Sequence, residues 1–282
     1  NNKEMYALLA AAYLHDIGMQ CDVAKQSGIK SAAKKLGANF PHKFTAMTAD
    51  KYSSEEQEMI RKNHHYLSAG WIDYDYRMKK TVLADAVRTI PSDLVSDVID
   101  ICLYHSSLSI MSCPTEFKHL PGNRKRLVAA ILRLADELDI DKSRASVDTI
   151  RGLSLGPDNA LYWWLHERTN IQFINPHLLL INVRLHPDDA RKYGESLKKI
   201  VVDNFQKKNN EVFEVLAQAG ISILVSTQSG VTENPYESKL PSDVVEALTC
   251  LAEGQTCDAG VSSQSAITLI NAPATAHSDQ IE

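Results

Sequence analysis

From residue 4 to about residue 150 the pattern is helical almost throughout, with apolar side chains returning every three or four positions and short helices and loops over the mixed, polar residues 20–52. That spacing marks amphipathic helices, and so many in succession predict a helical bundle. The most apolar stretch, MYALLAAAYL at residues 5–14, reads as a helix buried on nearly every side. It stops on His15 and Asp16, and Gly18 suits the left-handed position that closes many helices. The run is well short of the roughly 18 residues a bilayer span needs, so no membrane partner is expected. Two ionisable groups at such a helix end either face solvent or are needed inside.

Further helices are expected along this half. SSEEQEMIRKNHHYLSAGWI opens on a capping pattern, with Ser53 followed three later by Glu56. PSDLVSDVIDICLYH starts with Pro91 and Ser92 as an N-terminal signal. A loop over residues 106–123 leads to NRKRLVAAILRLADELDID. The pattern then changes. TNIQFIN and HLLLINVRLH predict two strands turning at Asn175-Pro176, followed by a helix from Asp188 to about Gln218 and a strand at 221–226. The expected organisation is mainly α: a helical domain over 1–150, a smaller α+β accessory unit over 151–226, and a flexible tail or linker over 227–282. Trp163 and Trp164 are expected to pack the second unit on the first.

Composition sets outer limits. The 282 residues are 44% hydrophobic and 23% charged, as in ordinary globular proteins. A net charge of −5 carries no broad signal for nucleic acid. Five scattered cysteines without a C-x-x-C pair argue against a disulfide framework or thiolate zinc knot and fit a cytoplasmic setting. The chain starts on Asn1, almost inside a helical pattern, so an N-terminal part is expected to be missing.

The chemistry lies in where the histidines and aspartates fall. His64 and His105 each sit on the apolar stripe of a helix, and Asp136 lies in a helix apolar nearly all round. Taken singly, a histidine on such a stripe is more often a hydrogen-bonded core residue, and Asp136 has Arg133 and Arg144 as candidate partners. Taken together, His15, Asp16, His64, His105 and Asp136 place ligand-type groups on four helices, an arrangement in which bundles hold metals. Imidazole with carboxylate suits Mn, Fe, Zn, Co or Ni, or Mg where water fills most positions. His65 points about 100° away from His64 around the helix and is expected to face solvent. His42, His119, His166, His177 and His186 lack ligand company. Arg124, Lys125 and Arg126 are expected to cap a helix start from the solvent side or to lie at a pocket mouth.

His15-Asp16 before Ile-Gly, Arg61-x-x-His64, His105 and Ala135-Asp136-x-x-Asp139 together resemble the H…HD…H…H…D pattern of the HD superfamily of metal-dependent phosphohydrolases, over about residues 5–145. IRKNHHYLSAGWI with LRLADELDID is most similar to the variety fused to, or encoded beside, a chaperone-type GHKL ATPase. The resemblance implies an HD-type helical bundle with one or two divalent metal ions. His15, Asp16 and Asp136 would hold one ion, and Asp16 would reach a second shared with His64 and His105. Arg61 and Arg144 would meet a substrate phosphate, since guanidinium groups match phosphate oxygens.

The implied activity is hydrolysis of a phosphate ester or phosphoanhydride, in a nucleotide as the expected substrate, with Asp16 catalytic. Three departures qualify it. The family's first histidine lies upstream of the HD pair, where only Asn1 to Leu14 stand here. Met19 replaces the lysine of the cyclic-dinucleotide-cleaving variety, and no GYP follows His105. The extension of deoxynucleotide triphosphohydrolases is absent. Two other functions stay open: a non-catalytic HD fold acting as an interaction or sensing module for a partner ATPase, and a di-iron oxygenase.

Overall fold

The computed structural model of the chain describes residues 1–20, 26–40, 54–79, 81–139, 164, 168–231, 239, 240, 242, 244, 245 and 249. The helical half comprises α1 (Asn2–Leu14), α2 (Ser27–Lys35), α3 (Ser54–Met78), α4 (Ala84–Arg88), α5 (Val95–Tyr104) and α6 (Lys125–Leu138). Short 3-10 turns at Ile17–Gln20 and Ile110–Ser112 follow α1 and α5. Then come β1 (Thr169–Asn175), β2 (Leu178–Leu185), α7 (Pro187–Gln218) and β3 (Leu224–Val231). The expected hairpin and long helix stand where the pattern put them. The last strand begins three residues later than expected and runs to Val231, because its pairing partner Leu178 opens β2 opposite Leu224. Residue 53, and with it the first capping pattern, lies outside the described residues.

The first helix corrects the expectation of burial all round. Ala7, Ala11 and Leu14 enter the core, while Met5, Leu9 and Tyr13 face out, Tyr13 at 85% exposure. Asn1 caps the helix, its side chain accepting from the N–H groups of Lys3 and Glu4. Glu4 in turn ties α1 to the start of α6. Its carboxylate accepts from the Arg124 backbone N–H at 2.8 Å and from Nε and Nη2 at 3.0 Å. Hydrogen bonding from Arg124 outweighs burial and holds the Glu4 carboxyl at about 2, against an ordinary 4.5.

A carboxyl depressed in the folded state stabilises fully above its unfolded value, and that share is lost as pH falls from about 4.5 toward 2. Glu4→Gln should therefore raise the unfolding constant roughly fivefold at pH 7, with Arg124 solvent-exposed and the tie discounted accordingly. The gap should narrow at pH 3. Urea unfolding at both pH values checks this, and an equal gap at both would refute the assignment.

Of the basic triplet expected at the solvent side, Arg124 is exposed, Arg126 is half-buried and Lys125 is internal. Lys125 is 2% exposed, and its ammonium lies 2.9 Å from Asp97 and 2.6 Å from Asp100 on α5. Burial works against that charge, but the two carboxylates outweigh it and hold the ammonium above its ordinary value. Arg126 donates to the Cys113 carbonyl at 2.8 Å. All three basic residues fasten helix to helix or loop.

Among the described residues the sheet has the order β1-β2-β3, antiparallel across the hairpin and parallel between β2 and β3, with α7 as the crossover. Alternate residues of β2 (Leu179, Ile181, Val183 and Leu185) are buried, the period of a strand with one covered face. Leu179 and Ile181 join Phe205, Val212 and Leu216 of α7 in one apolar cluster with α1, α5 and α6. Trp164 packs instead with Val183, Leu185 and Leu197. It therefore packs within the sheet unit, at the Val183–Leu185 end of the same covered face, rather than joining that unit to the bundle; Trp163 lies outside the described residues.

Candidate metal centre

Four helices converge at one end of the bundle, and each presents the side chains the spacing singled out. His15 is the residue after α1, and its Nδ1–H donates 2.8 Å back to the Ala12 carbonyl. His64, within α3, does the same to the Arg61 carbonyl at 2.6 Å. His105, the residue after α5, does so to the Cys102 carbonyl at 2.6 Å. Each ring thus spends Nδ1 on its own backbone and turns Nε2 inward, which fixes the tautomer as metal-binding histidines require.

What the rings face is Asp16. Its Oδ1 lies 3.5 Å from His64 Nε2 and 3.6 Å from His105 Nε2, and its Oδ2 lies 3.6 Å from His15 Nε2. Asp136 Oδ1, from α6, is 3.4 Å from His15 Nε2. The structure therefore brings all five of the singled-out residues together. Single ligand atoms of His15, Asp16 and His105 lie within 4.8 Å of one another.

Gly18 makes this approach possible, though not by capping α1. A Cβ there would fall 2.2 Å from the His64 carbonyl oxygen and 2.6 Å from the Ser68 nitrogen. The turn after Asp16 is pressed onto the backbone of α3, and the Gly18 N–H donates to Ser68 Oγ at 2.9 Å. Sequence spacing missed Ser68, although its position four residues after His64 puts it on the same helical stripe.

The site is a cleft rather than an enclosed interior. His105 is buried, His15 and His64 are partly covered, and the Asp16 side chain is 47% exposed. Asp136 is half-buried because α6, expected to be apolar all round, opens to solvent at its last turn. Arg133 does not pair with Asp136; it donates to the carbonyls of Leu108 and Lys208. Arg61 is exposed one turn before His64, and Arg144 lies outside the described residues.

Electrostatics bind the cluster into a unit. Burial opposes charge on His15, but hydrogen bonding to Asp136 and the nearby Asp16 charge prevail and raise the ring to about 9. Burial likewise works against Asp16, yet the three imidazole rings facing it, His105 foremost, hold its carboxyl at about 2. Burial and the neighbouring His105 push His64 down.

His65 corrects another expectation. It is 1% exposed rather than solvent-facing, with Nε2 3.4 Å from Ser107 Oγ and Nδ1 without a hydrogen-bond partner. Burial, with the charges of His64 and His105, lowers it to about 3, so its ring stays neutral. His177 and His186 serve a backbone carbonyl and the N-cap of α7 respectively, and His119 is exposed. His42 and His166 lie outside the described residues. Buried Cys102 has its thiol pushed far up by burial, which removes it as a thiolate donor.

A divalent ion fits this donor set. With every Nδ1–H committed to a carbonyl, His64 Nε2 and His105 Nε2 stand only 3.0 Å apart, where two lone pairs would face each other. Such a contact repels unless a cation or a proton lies between the nitrogens, with a carboxylate beside them to balance it.

The family model HD-CE matches residues 1–206. The chain belongs to the HD-CE family. That match and the helical architecture establish an HD-type domain, a fold consistent with metal-dependent hydrolase chemistry. No curated protein and no solved structure was found to match this HD-CE chain. Among its described residues no helix is long and apolar enough to cross a membrane.

Proposed function

We propose that this HD-CE protein is a metal-dependent phosphohydrolase that cleaves a phosphate ester or phosphoanhydride, with nucleotides as the substrate class. The observation that carries the reading is the inward convergence of three Nε2 atoms on Asp16, each ring fixed through Nδ1. His15, Asp16 and Asp136 would hold one divalent ion, and Asp16, His64 and His105 a second. When bound, such ions polarise phosphoryl oxygens and make water acidic enough to supply hydroxide near neutral pH.

The chain's own groups do the rest. The exposed edge of Asp16 leaves room for a phosphate to enter beside the ligands. Arg61, exposed on α3, would grip a phosphate oxygen, and Arg144 is proposed for the same task. The sheet unit, expected over 151–226 and reaching Val231, would be the accessory or docking element for a fused or neighbouring GHKL-type ATPase, with the chain beyond it as linker. A cytoplasmic setting is supported by the scattered cysteines.

Metal content per chain, measured by mass spectrometry on protein purified without chelator, tests the reading. One or two equivalents of a transition metal are expected, falling to background in Asp136→Ala. A folded wild-type chain that takes up no metal even after incubation with Mn²⁺ would overturn it.

A further inference from the structure

The segment that follows His105 is held from three sides. Ser107 meets His65 of α3. The Leu108 carbonyl accepts from Arg133 Nη1 of α6 at 2.7 Å. Ser109 Oγ donates to the Glu211 carboxylate of α7 at 2.9 Å, and the Ile110 N–H donates to the same group at 2.8 Å. Arg133 also reaches the Lys208 carbonyl at 3.3 Å, and the Lys208 ammonium pairs with Glu137 at 3.2 Å.

These contacts bear on the centre because of where they stand. His105 closes α5, and a helix end frays unless the chain beyond it is fixed. Leu108 and Ser109 belong to no helix or strand and Ile110 only opens a 3-10 turn, so the Leu108 carbonyl and the Ile110 N–H take side-chain partners. Arg133 lies one turn before Asp136, and Glu137 directly follows it. The same α7 that carries Lys208 and Glu211 is the crossover between β2 and β3.

We infer that Arg133 and Glu211 are positioning residues for the metal centre, and that α7 is the lever by which the sheet unit sets the placement of His105 and Asp136. Its functional weight rests on the metal-centre reading, but the placement of His105 can be read without metal. The side-chain nitrogen NMR signals of His105 in metal-free full-length protein should report one Nδ1–H tautomer. Glu211→Ala and Arg133→Met should broaden or split that signal and weaken Co²⁺ binding about 5- to 20-fold, below the strongest effects seen for groups touching a ligand directly. Arg133→Lys, able to meet one carbonyl but not both, should recover part of the loss. Glu214→Ala, on an exposed face of α7, should match wild type in both readouts.

An unchanged His105 signal, with Co²⁺ affinity equal to that of Glu214→Ala, would overturn the inference. If the wild-type chain takes no Co²⁺, the metal-centre reading fails and the ring signal alone decides the positioning role. If Glu211→Ala does not fold, Glu211→Gln, which keeps a carbonyl acceptor but drops the charge, is read in its place by the same two criteria.

Discussion

Asp16→Asn should lower metal-dependent phosphate hydrolysis by about 10³-fold or more in kcat/KM while leaving the chain folded, a loss of about 4 kcal/mol in transition-state stabilisation. The size follows from position. Among the described residues Asp16 is the one carboxylate within 3.6 Å of all three ring nitrogens, and it is the only residue of the five shared between the two expected ion positions. Asparagine keeps the shape but offers neither the negative charge nor a second carboxylate oxygen. The fold should survive because the Asp16 side chain is nearly half exposed. Hydrolysis of a generic phosphodiester with added Mn²⁺, beside circular dichroism, checks both halves. Wild-type activity in the variant would remove Asp16 from the chemistry, and unfolding would make it a structural residue instead.

How much of this was legible beforehand depends on the kind of information. Helices α1, α5 and α6, the β1–β2 hairpin and α7 were readable because periodicity and turn dipeptides act locally. The alternation of Leu179, Ile181, Val183 and Leu185 is plain in the letters. Which face of α1 is covered was not, since MYALLAAAYL is apolar around its whole circumference and only the neighbours decide that Tyr13 stays in water. The start of β3 was misplaced for a similar reason: Ile221 and Ile223 look like strand residues, but pairing with β2 starts at Leu224.

The five-residue cluster was legible because ligand-type residues on apolar stripes of successive helices are rarely placed there by chance. Its supports were not. Gly18 carries a signal for turn, yet its use is the close approach to His64 and Ser68, a long-range fact. His65 was assigned by angle on the helix, which says how far it lies from His64 and nothing about the loop of Ser107 that covers it. Arg133 stood three residues from Asp136, the right distance for an ion pair, and was taken instead by carbonyls of a loop and of α7. Pair spacing can nominate a partner; tertiary competition decides it.

The same competition makes Lys125→Met the substitution with the largest expected effect on stability, about 3–5 kcal/mol, or about 6–20 °C in Tm for a domain of this size. Lys125 is covered between α5 and α6, and its removal leaves Asp97, wholly buried, without a cation. Asp97 Oδ1 would keep the Lys118 N–H at 2.9 Å, but Oδ2 already has no hydrogen-bond partner. Asp100 is less affected because it reaches solvent. The penalty comes from the stranded charge, so replacing both partners with apolar residues of similar volume, Lys125→Met with Asp97→Leu, should return most of the loss. Since α5 leads into His105 and α6 carries Asp136, the single variant should also lose metal, and the double variant should regain it. Thermal unfolding of the three proteins separates the cases. A single variant within about 1 kcal/mol of wild type would mean that the pair is hydrated in solution. A double variant no better than the single would mean that the ion pair's geometry, rather than the avoidance of an unpaired charge, holds α5 against α6.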